Sequence, residues 1–122
     1  MPFDGTPTDL KTDVPVITVQ TPEGAKPLVE VLEHVRALLT SPRHWTKGTY
    51  YSRGRYCMIG AFMHVTGKLT NHEVFEQNLL LDGRPLLEQY KCVPDFNDDQ
   101  KVGHLCVLSC LDESIERLRL IS

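Results

Sequence analysis

The sequence lacks several features that would place it in a functional class at once. No apolar run approaches the roughly 20 residues that a membrane-spanning helix needs. Aromatic residues make up only 7% of the 122 residues, with a single tryptophan. The first residues are polar and acidic, so a secretory signal is not expected. These absences favour a single soluble domain in the cytoplasm.

Cysteines are few and form no established motif. Because no secretory signal is expected, the four cysteines (Cys57, Cys92, Cys106 and Cys110) are predicted to be reduced thiols. The spacing of Cys106 and Cys110 fits a zinc-ligand pair loosely. However, His104 lies two residues before Cys106 and points elsewhere on a helix. We therefore predict no metal and no cofactor.

Acidic residues are missing between His34 and His72, a stretch that carries six lysines and arginines. The whole chain nevertheless has a formal net charge of -3. That balance argues against a nucleic-acid-binding protein. The basic stretch itself could hold an anionic ligand, or its charges could pair with the acidic half of the chain.

Hydrophobic periodicity predicts a mainly α fold of four to five short helices with at most one small β element. The predicted helices cover about 26–40, 56–66, 71–81, 85–91 and 97–120, and 94–98 is predicted to be a polar turn. In the last helix Leu105, Leu108, Leu111, Ile115 and Leu118 are predicted to form a buried stripe. Residues 49–56 could form a small hairpin.

Residues 1–25 differ in composition from the rest of the chain. They hold four of the eight prolines and are net acidic. This composition predicts a flexible acidic arm with a possible edge strand at 14–19, followed by a helical domain over 26–122.

Several short motifs resemble an uncharacterised family of small bacterial and phage proteins, a family with a domain of unknown function. The motifs are Val35–Leu39, Pro42, Trp45–Gly48, Cys57–Ala61, Phe96–Asp98, His104, Val107 and Leu111–Glu113. The resemblance spans about residues 28–118 and implies no activity. The family normally has a longer insert between the Trp-Thr-x-Gly and Cys-x-x-Gly-Ala elements. The resemblance implies that Trp45, Cys57, Gly60, Asn97, Asp98 and His104 share one architecture.

One constellation would suit nucleophilic catalysis. A cysteine nucleophile needs a lowered pKa, a histidine to take its proton and a polar residue to orient that histidine. Cys57 at a helix start, His104, and Asn97 or Asp98 supply those residue types. The alternative is that Cys57 is a packed core thiol and that Asn97 and Asp98 are caps, and we favour it because buried free cysteines are common.

The basic and aromatic loop 43–56 is the stronger candidate site, since loops often carry function. Its candidate contact residues are Arg43, Trp45, Lys47, Tyr50, Tyr51, Arg53 and Arg55. We therefore expect a small interaction or regulatory protein that binds a protein or an anionic ligand through this loop. If the chain is phage-encoded, a host factor is one possible target. A cysteine-dependent hydrolase or transferase is the alternative, and a homodimer is compatible with either function.

The Trp45–Gly48 and Phe96–Asp98 elements are predicted to be neighbours beside the start of the Cys57 helix. A long loop needs partners for its backbone groups, and Asn and Asp side chains supply them. The same reasoning predicts a mostly buried Trp45 whose indole N–H donates to a carbonyl or to Asp98.

Overall fold

A computed structural model describes residues 16–67 and 72–121, and it is mainly α. Its helices are α1 (Leu28–Leu38), α2 (Met58–Thr66), α3 (His72–Gln77), α4 (Val93–Asp98) and α5 (His104–Ile121). The mainly α prediction is confirmed. The expectation of at most one β element is wrong, because three separate two-stranded antiparallel hairpins accompany the helices.

The core forms where α1 packs against both α2 and α5. The apolar face of α1 contributes Leu28, Val31, Leu32 and Val35, all of them buried. From α2 and α3, Phe62 and Phe75 stack with ring centroids 4.6 Å apart. No helix among residues 16–67 and 72–121 has the length and apolarity required to cross a membrane.

The first hairpin shows that the predicted arm is too long at its C-terminal end. Strand β1 (Thr18–Thr21) pairs with β2 (Gly24–Pro27), and Val19 is buried in the core. The side chain of Thr21 closes the turn by donating to the carbonyl oxygen of Gly24 at 2.7 Å. Pairing in β2 also explains why α1 begins at Leu28 rather than Lys26. Residues 1–15, most of the predicted arm, lie outside the described residues.

The second hairpin confirms the short strands expected within 49–56. Strand β3 (Tyr51–Ser52) pairs with β4 (Arg55–Tyr56) around an Arg53-Gly54 turn. The third hairpin replaces the end of the predicted 71–81 helix. Helix α3 ends at Gln77, and β5 (Leu80–Leu81) pairs with β6 (Arg84–Pro85) around Asp82-Gly83.

Two short 3-10 turns cover Pro42–His44 and Leu86–Glu88. The second occupies part of the predicted 85–91 helix. Residues 68–71, which include the start of the predicted 71–81 helix, lie outside the described residues.

The predicted turn at 94–98 is wrong, since these residues belong to α4. Pro94 suits the first helical turn, and the Glu76 carboxylate accepts the Val93 N–H at 2.9 Å. Burial of Val93 and Phe96 then outweighs the weak helix propensity of the Asn and Asp residues.

Helix α5 begins at His104, not at Asn97 or Asp98 as predicted. Asp99 is extended, with φ −63° and ψ 134°, which separates α4 from α5. Leu111, Ile115 and Leu118 are buried as expected, and Leu108 is half-buried. Leu105 is 78% exposed because Val107, which points to the other side of the helix, occupies the buried face of the first turn.

Candidate functional site

Asn97 is the centre of a buried polar network that joins three separate segments. Its Oδ1 accepts from Trp45 Nε1 at 2.8 Å and from the backbone N–H of Met58 at 3.1 Å. Its Nδ2 donates to the carbonyl oxygen of Thr46 at 3.0 Å and to Asp98 Oδ1 at 2.9 Å. The side chain is fully buried, and both donors and both acceptor positions are used.

This network confirms that the Trp45–Gly48 and Phe96–Asp98 elements are neighbours at the start of α2. Asp98 Oδ1 also accepts the Gly48 N–H at 2.9 Å, and the Thr46 N–H donates to Tyr56 O at 3.0 Å. Trp45 is only partly buried, and its indole partner is the amide oxygen of Asn97 rather than Asp98.

Lys47 also belongs to this structural network rather than to a free surface. Its ammonium donates to the carbonyl oxygen of Asp99 at 2.6 Å and lies 5.5 Å from the centroid of the Trp45 ring. Both partners hold the side chain in place. Trp45 and Lys47, which the sequence proposes as ligand contacts, therefore have structural partners within the domain.

Cys57 caps α2, and its Sγ accepts the Gly60 N–H at 3.2 Å. The nucleophilic alternative requires a thiol pKa that the helix start lowers. Instead, burial raises the pKa of Cys57, and the nearby Asp98 charge acts in the same direction against the opposing backbone N–H groups.

His104 does not form a hydrogen bond with Cys57 in the described part of the chain. Its Nε2 donates to the carbonyl oxygen of Leu39 at 2.6 Å, and its ring lies 6.0 Å from that of Trp45. The structure therefore brings Cys57, Asn97 and Asp98 together but uses His104 to attach α5 to the end of α1.

Gly60 explains why the chain passes so close to α2. A Cβ placed on Gly60 would lie 1.8 Å from the carbonyl oxygen of Tyr50, which also accepts the Cys57 N–H at 3.2 Å. Only glycine leaves room for this carbonyl. Sequence reasoning placed Gly60 in the shared architecture but did not identify this contact, because the spacing of the motif does not show which segment approaches the helix.

Of the remaining candidate residues, Tyr50, Tyr51, Arg53 and Arg55 lie in or next to the second hairpin, whereas Arg43 lies in the 3-10 turn Pro42–His44. Tyr50 and Tyr51 are 49% and 54% exposed. Arg43, Arg53 and Arg55 are exposed and take part in none of the ion pairs formed among residues 16–67 and 72–121. The structure thus separates the predicted site into a half-buried anchor (Trp45 and Lys47) and an exposed basic hairpin.

A groove of about 390 Å³ runs along the base of this hairpin. It is lined by Tyr50, Tyr51, Tyr56, Gly60, Met63 and His64. Tyr56 stacks at a tilt between Tyr51 and His64, with ring centroids 4.9 Å and 5.0 Å away. Sequence reasoning missed Met63 and His64, which lie on α2 and reach the groove only through the fold.

The four cysteines are unpaired. Cys106 is exposed, whereas burial raises the pKa of Cys110 to about 12. No group of three or more potential metal ligands comes together within the described ranges.

Residues 24–117 match a family of unknown function, DUF6197. The chain belongs to this family. Comparison with curated proteins and with solved structures finds no match. The match covers the Asn97 network and the basic hairpin, so both lie within the part of the chain shared with the family.

Proposed function

We propose that this protein is a binding protein whose basic hairpin recognises an acidic segment of a partner protein. The observation that carries the proposal is the exposed tip of the second hairpin. It combines two exposed tyrosines with arginines that have no acidic partner in the described residues. Tyrosine and arginine are enriched at protein interfaces, where each supplies a large contact area.

The backbone of the tip supports a functional rather than a structural role for Arg53. Arg53 has φ 50° and Gly54 has φ 82°, both in the left-handed region. Two-residue turns of this kind favour Gly, Asn or Asp at the first position, because glycine has no Cβ to clash there and Asn and Asp side chains hydrogen-bond to the nearby backbone. An arginine at this position projects a guanidinium from the tip at a cost in stability.

The rigidity of the hairpin base supports binding as well. The Asn97 network fixes Thr46, which pairs with Tyr56, and α2 fixes the carbonyl of Tyr50. Side chains on such a base lose less conformational entropy on binding. The groove at the base of the hairpin is shallow and aromatic, which suits apolar side chains of an extended segment better than an enclosed small molecule.

Charge supports this choice of partner chemistry. Arg43, Arg53 and Arg55 fall in a stretch without any acidic residue and form no ion pair within the described residues. Arg36 and Lys47 lie in the same stretch but are already engaged, by Asp112 and by the carbonyl oxygen of Asp99. Arginine forms bidentate hydrogen bonds with carboxylates. An acidic segment with one or two apolar side chains would therefore satisfy both the arginines and the groove. We include in the proposal that the acidic segment belongs to a host protein if the chain is phage-encoded.

Selection from a random peptide library on the wild-type protein tests the proposal. We expect enrichment of peptides that combine Asp or Glu with apolar residues, and binding that weakens with salt. The double variant Arg53→Glu, Arg55→Glu should bind these peptides at least about tenfold more weakly. The matched control is Arg84→Glu, Arg117→Glu, which changes the net charge equally at exposed residues elsewhere. Selected peptides without acidic bias, or equal binding to both double variants, would contradict the proposal.

The cysteine-dependent alternative lacks the contacts that it requires. Burial raises the pKa of Cys57, and His104 donates to Leu39 instead of approaching the thiol. Alkylation by iodoacetamide near neutral pH tests the alternative by comparing the reaction rates of two cysteines in the same chain. Cys57 should react more slowly than the exposed Cys106, and faster reaction at Cys57 would favour the alternative.

A further inference from the structure

A second cleft, of about 330 Å³, lies beside Tyr50 and has a different chemistry from the tyrosine groove. It is lined by Gly48, Thr49, Tyr50, Cys57, Pro94 and Asp98. Only Tyr50 lines both spaces. No basic residue lines this cleft, and the nearby Lys47 is held by the carbonyl oxygen of Asp99. The cleft is therefore unsuited to an anion, whereas its one charged group is a carboxylate.

Asp98 is held in place by one of its two carboxylate oxygens. Oδ1 accepts from the Gly48 N–H and from Asn97 Nδ2, both at 2.9 Å. Oδ2 accepts no hydrogen bond from residues 16–67 or 72–121, and Asp98 takes part in none of their ion pairs. The carboxylate is thus oriented by neutral donors, and its negative charge forms no ion pair in this part of the chain.

The remaining walls are apolar or neutral. Tyr50 and Pro94 provide an aromatic and an aliphatic surface, and Cys57 is a buried thiol whose pKa is raised. Aromatic faces attract cations, and a carboxylate adds a charge-assisted hydrogen bond. One carboxylate alone is too few ligands for a tightly bound Mg²⁺ or Ca²⁺ ion.

We propose that this cleft binds an organic cation, a protonated primary amine on a short apolar stem. The ammonium group donates to Asp98, and the stem packs against Tyr50 and Pro94. The amine could be a free small molecule or the lysine side chain of a bound protein. The site does not depend on the proposed binding of an acidic segment by the hairpin. In the cleft a carboxylate binds a cation, whereas at the hairpin arginines bind carboxylates.

Trp45 provides the readout, because it is the only tryptophan and its indole donates to Asn97, the neighbour of Asp98. We would titrate the protein with n-butylammonium for the free amine and with Nα-acetyl-lysine methylamide for the lysine side chain. Indole fluorescence and the amide resonance of Gly48 would be followed. Saturable changes in both signals are expected with at least one amine. The amine that binds more tightly shows whether the cation is a free amine or a lysine side chain.

Two controls separate the ammonium charge from its stem and from salt. Neutral n-butanol has the same stem, and sodium chloride matches the ionic strength. Both should leave the Gly48 resonance without a saturable shift. A response to butanol equal to the response to butylammonium would show that the cleft recognises only an apolar chain and would overturn the proposal.

The decisive variant is Asp98→Asn, which retains an oxygen acceptor for Gly48 and removes the charge. Amine affinity should fall about tenfold or more. Asp95→Asn is the matched control, since Asp95 is exposed on the same helix and does not line the cleft. Thermal unfolding of both variants confirms that they fold. Unchanged affinity in folded Asp98→Asn, or no saturable binding of either amine to the wild type, would overturn the proposal.

Discussion

The second and third hairpins have the same size and turn geometry but differ in their contacts with the rest of the domain. Each pairs two residues with two across a turn whose central residues both have positive φ. The third hairpin turns at Asp82-Gly83, a pair favoured in such turns. The second turns at Arg53-Gly54, where the first residue is strained. The backbone is alike, and the side chains differ.

The two hairpins also differ in the hydrogen bonds that attach them to the helices. Helix α5 holds the third hairpin through Ser114 Oγ, which accepts the Leu80 N–H at 2.8 Å, and through Glu113, which accepts the Gly83 N–H at 2.7 Å. Within residues 16–67 and 72–121, the second hairpin is held at its base, where Tyr50 O accepts the Cys57 N–H and Tyr56 O accepts the Thr46 N–H. Its tip is exposed. The third hairpin thus contributes to the domain, whereas the second presents side chains that the domain does not use.

The largest effect is expected from Gly60→Ala, at the base of the second hairpin. The new Cβ would meet the carbonyl oxygen of Tyr50 at 1.8 Å, so the hairpin base or α2 must move. We expect a loss of about 3 kcal/mol in the free energy of unfolding, measured by urea denaturation.

Gly103→Ala is the matched control for that substitution. No atom lies within 4 Å of its added Cβ, and its φ is not in the left-handed region. Gly103 directly precedes α5, and its carbonyl oxygen accepts the Val107 N–H, so it is the N-cap residue. Alanine is less favoured than glycine there, and the loss should stay below about 1 kcal/mol. Equal losses for both variants would mean that the Tyr50 approach is not a tight contact.

Asn97→Ala should cost about 1–3 kcal/mol, because it leaves buried polar groups without partners. Those groups are the Met58 N–H, the Trp45 indole N–H and the Thr46 carbonyl. Denaturant unfolding measures the loss, and Trp45 fluorescence reports the change around the indole. Asp95→Ala, an exposed change on the same helix, is the control and should lose much less stability.

The third hairpin provides the next test through Ser114→Ala. The fully buried hydroxyl accepts from Leu80 and donates to the carbonyl oxygen of Cys110 at 2.7 Å. Removing it leaves the Leu80 N–H unpaired and should cost about 1–2 kcal/mol. Ser109→Ala, exposed on the same helix, should be neutral or slightly stabilising because alanine is the better helix former. A neutral Ser114→Ala would show that α5 does not hold this hairpin.

The sequence was informative where one local pattern determines the structure. The apolar spacing of α1, the glycine that ends α2 at φ 76° and the hairpin within 49–56 all follow from neighbours in the chain. The link between Trp45–Gly48 and Phe96–Asp98 was also predictable, since a long loop needs side-chain partners for its backbone groups.

The errors arose where distant contacts decide the outcome. Helix α4 depends on Glu76, which precedes Val93 by 17 residues and accepts its N–H. The groove includes Met63 and His64 only because Gly60 admits the Tyr50 carbonyl. A local sequence pattern does not show which distant residues come into contact.

The smallest effect distinguishes the hairpins most directly, because Arg53→Asn should move stability and binding in opposite directions. Asparagine tolerates the left-handed conformation that Arg53 adopts at φ 50°, so the free energy of unfolding should rise by about 0.5 kcal/mol. The guanidinium is lost, so binding of acidic peptides should weaken. The reciprocal change in the third hairpin, Asp82→Arg, places arginine at φ 54° and should lower stability by a similar amount without affecting peptide binding. Calorimetric unfolding and fluorescence anisotropy measure the two quantities. If Arg53→Asn bound acidic peptides as tightly as the wild type does, Arg53 would not be a contact residue.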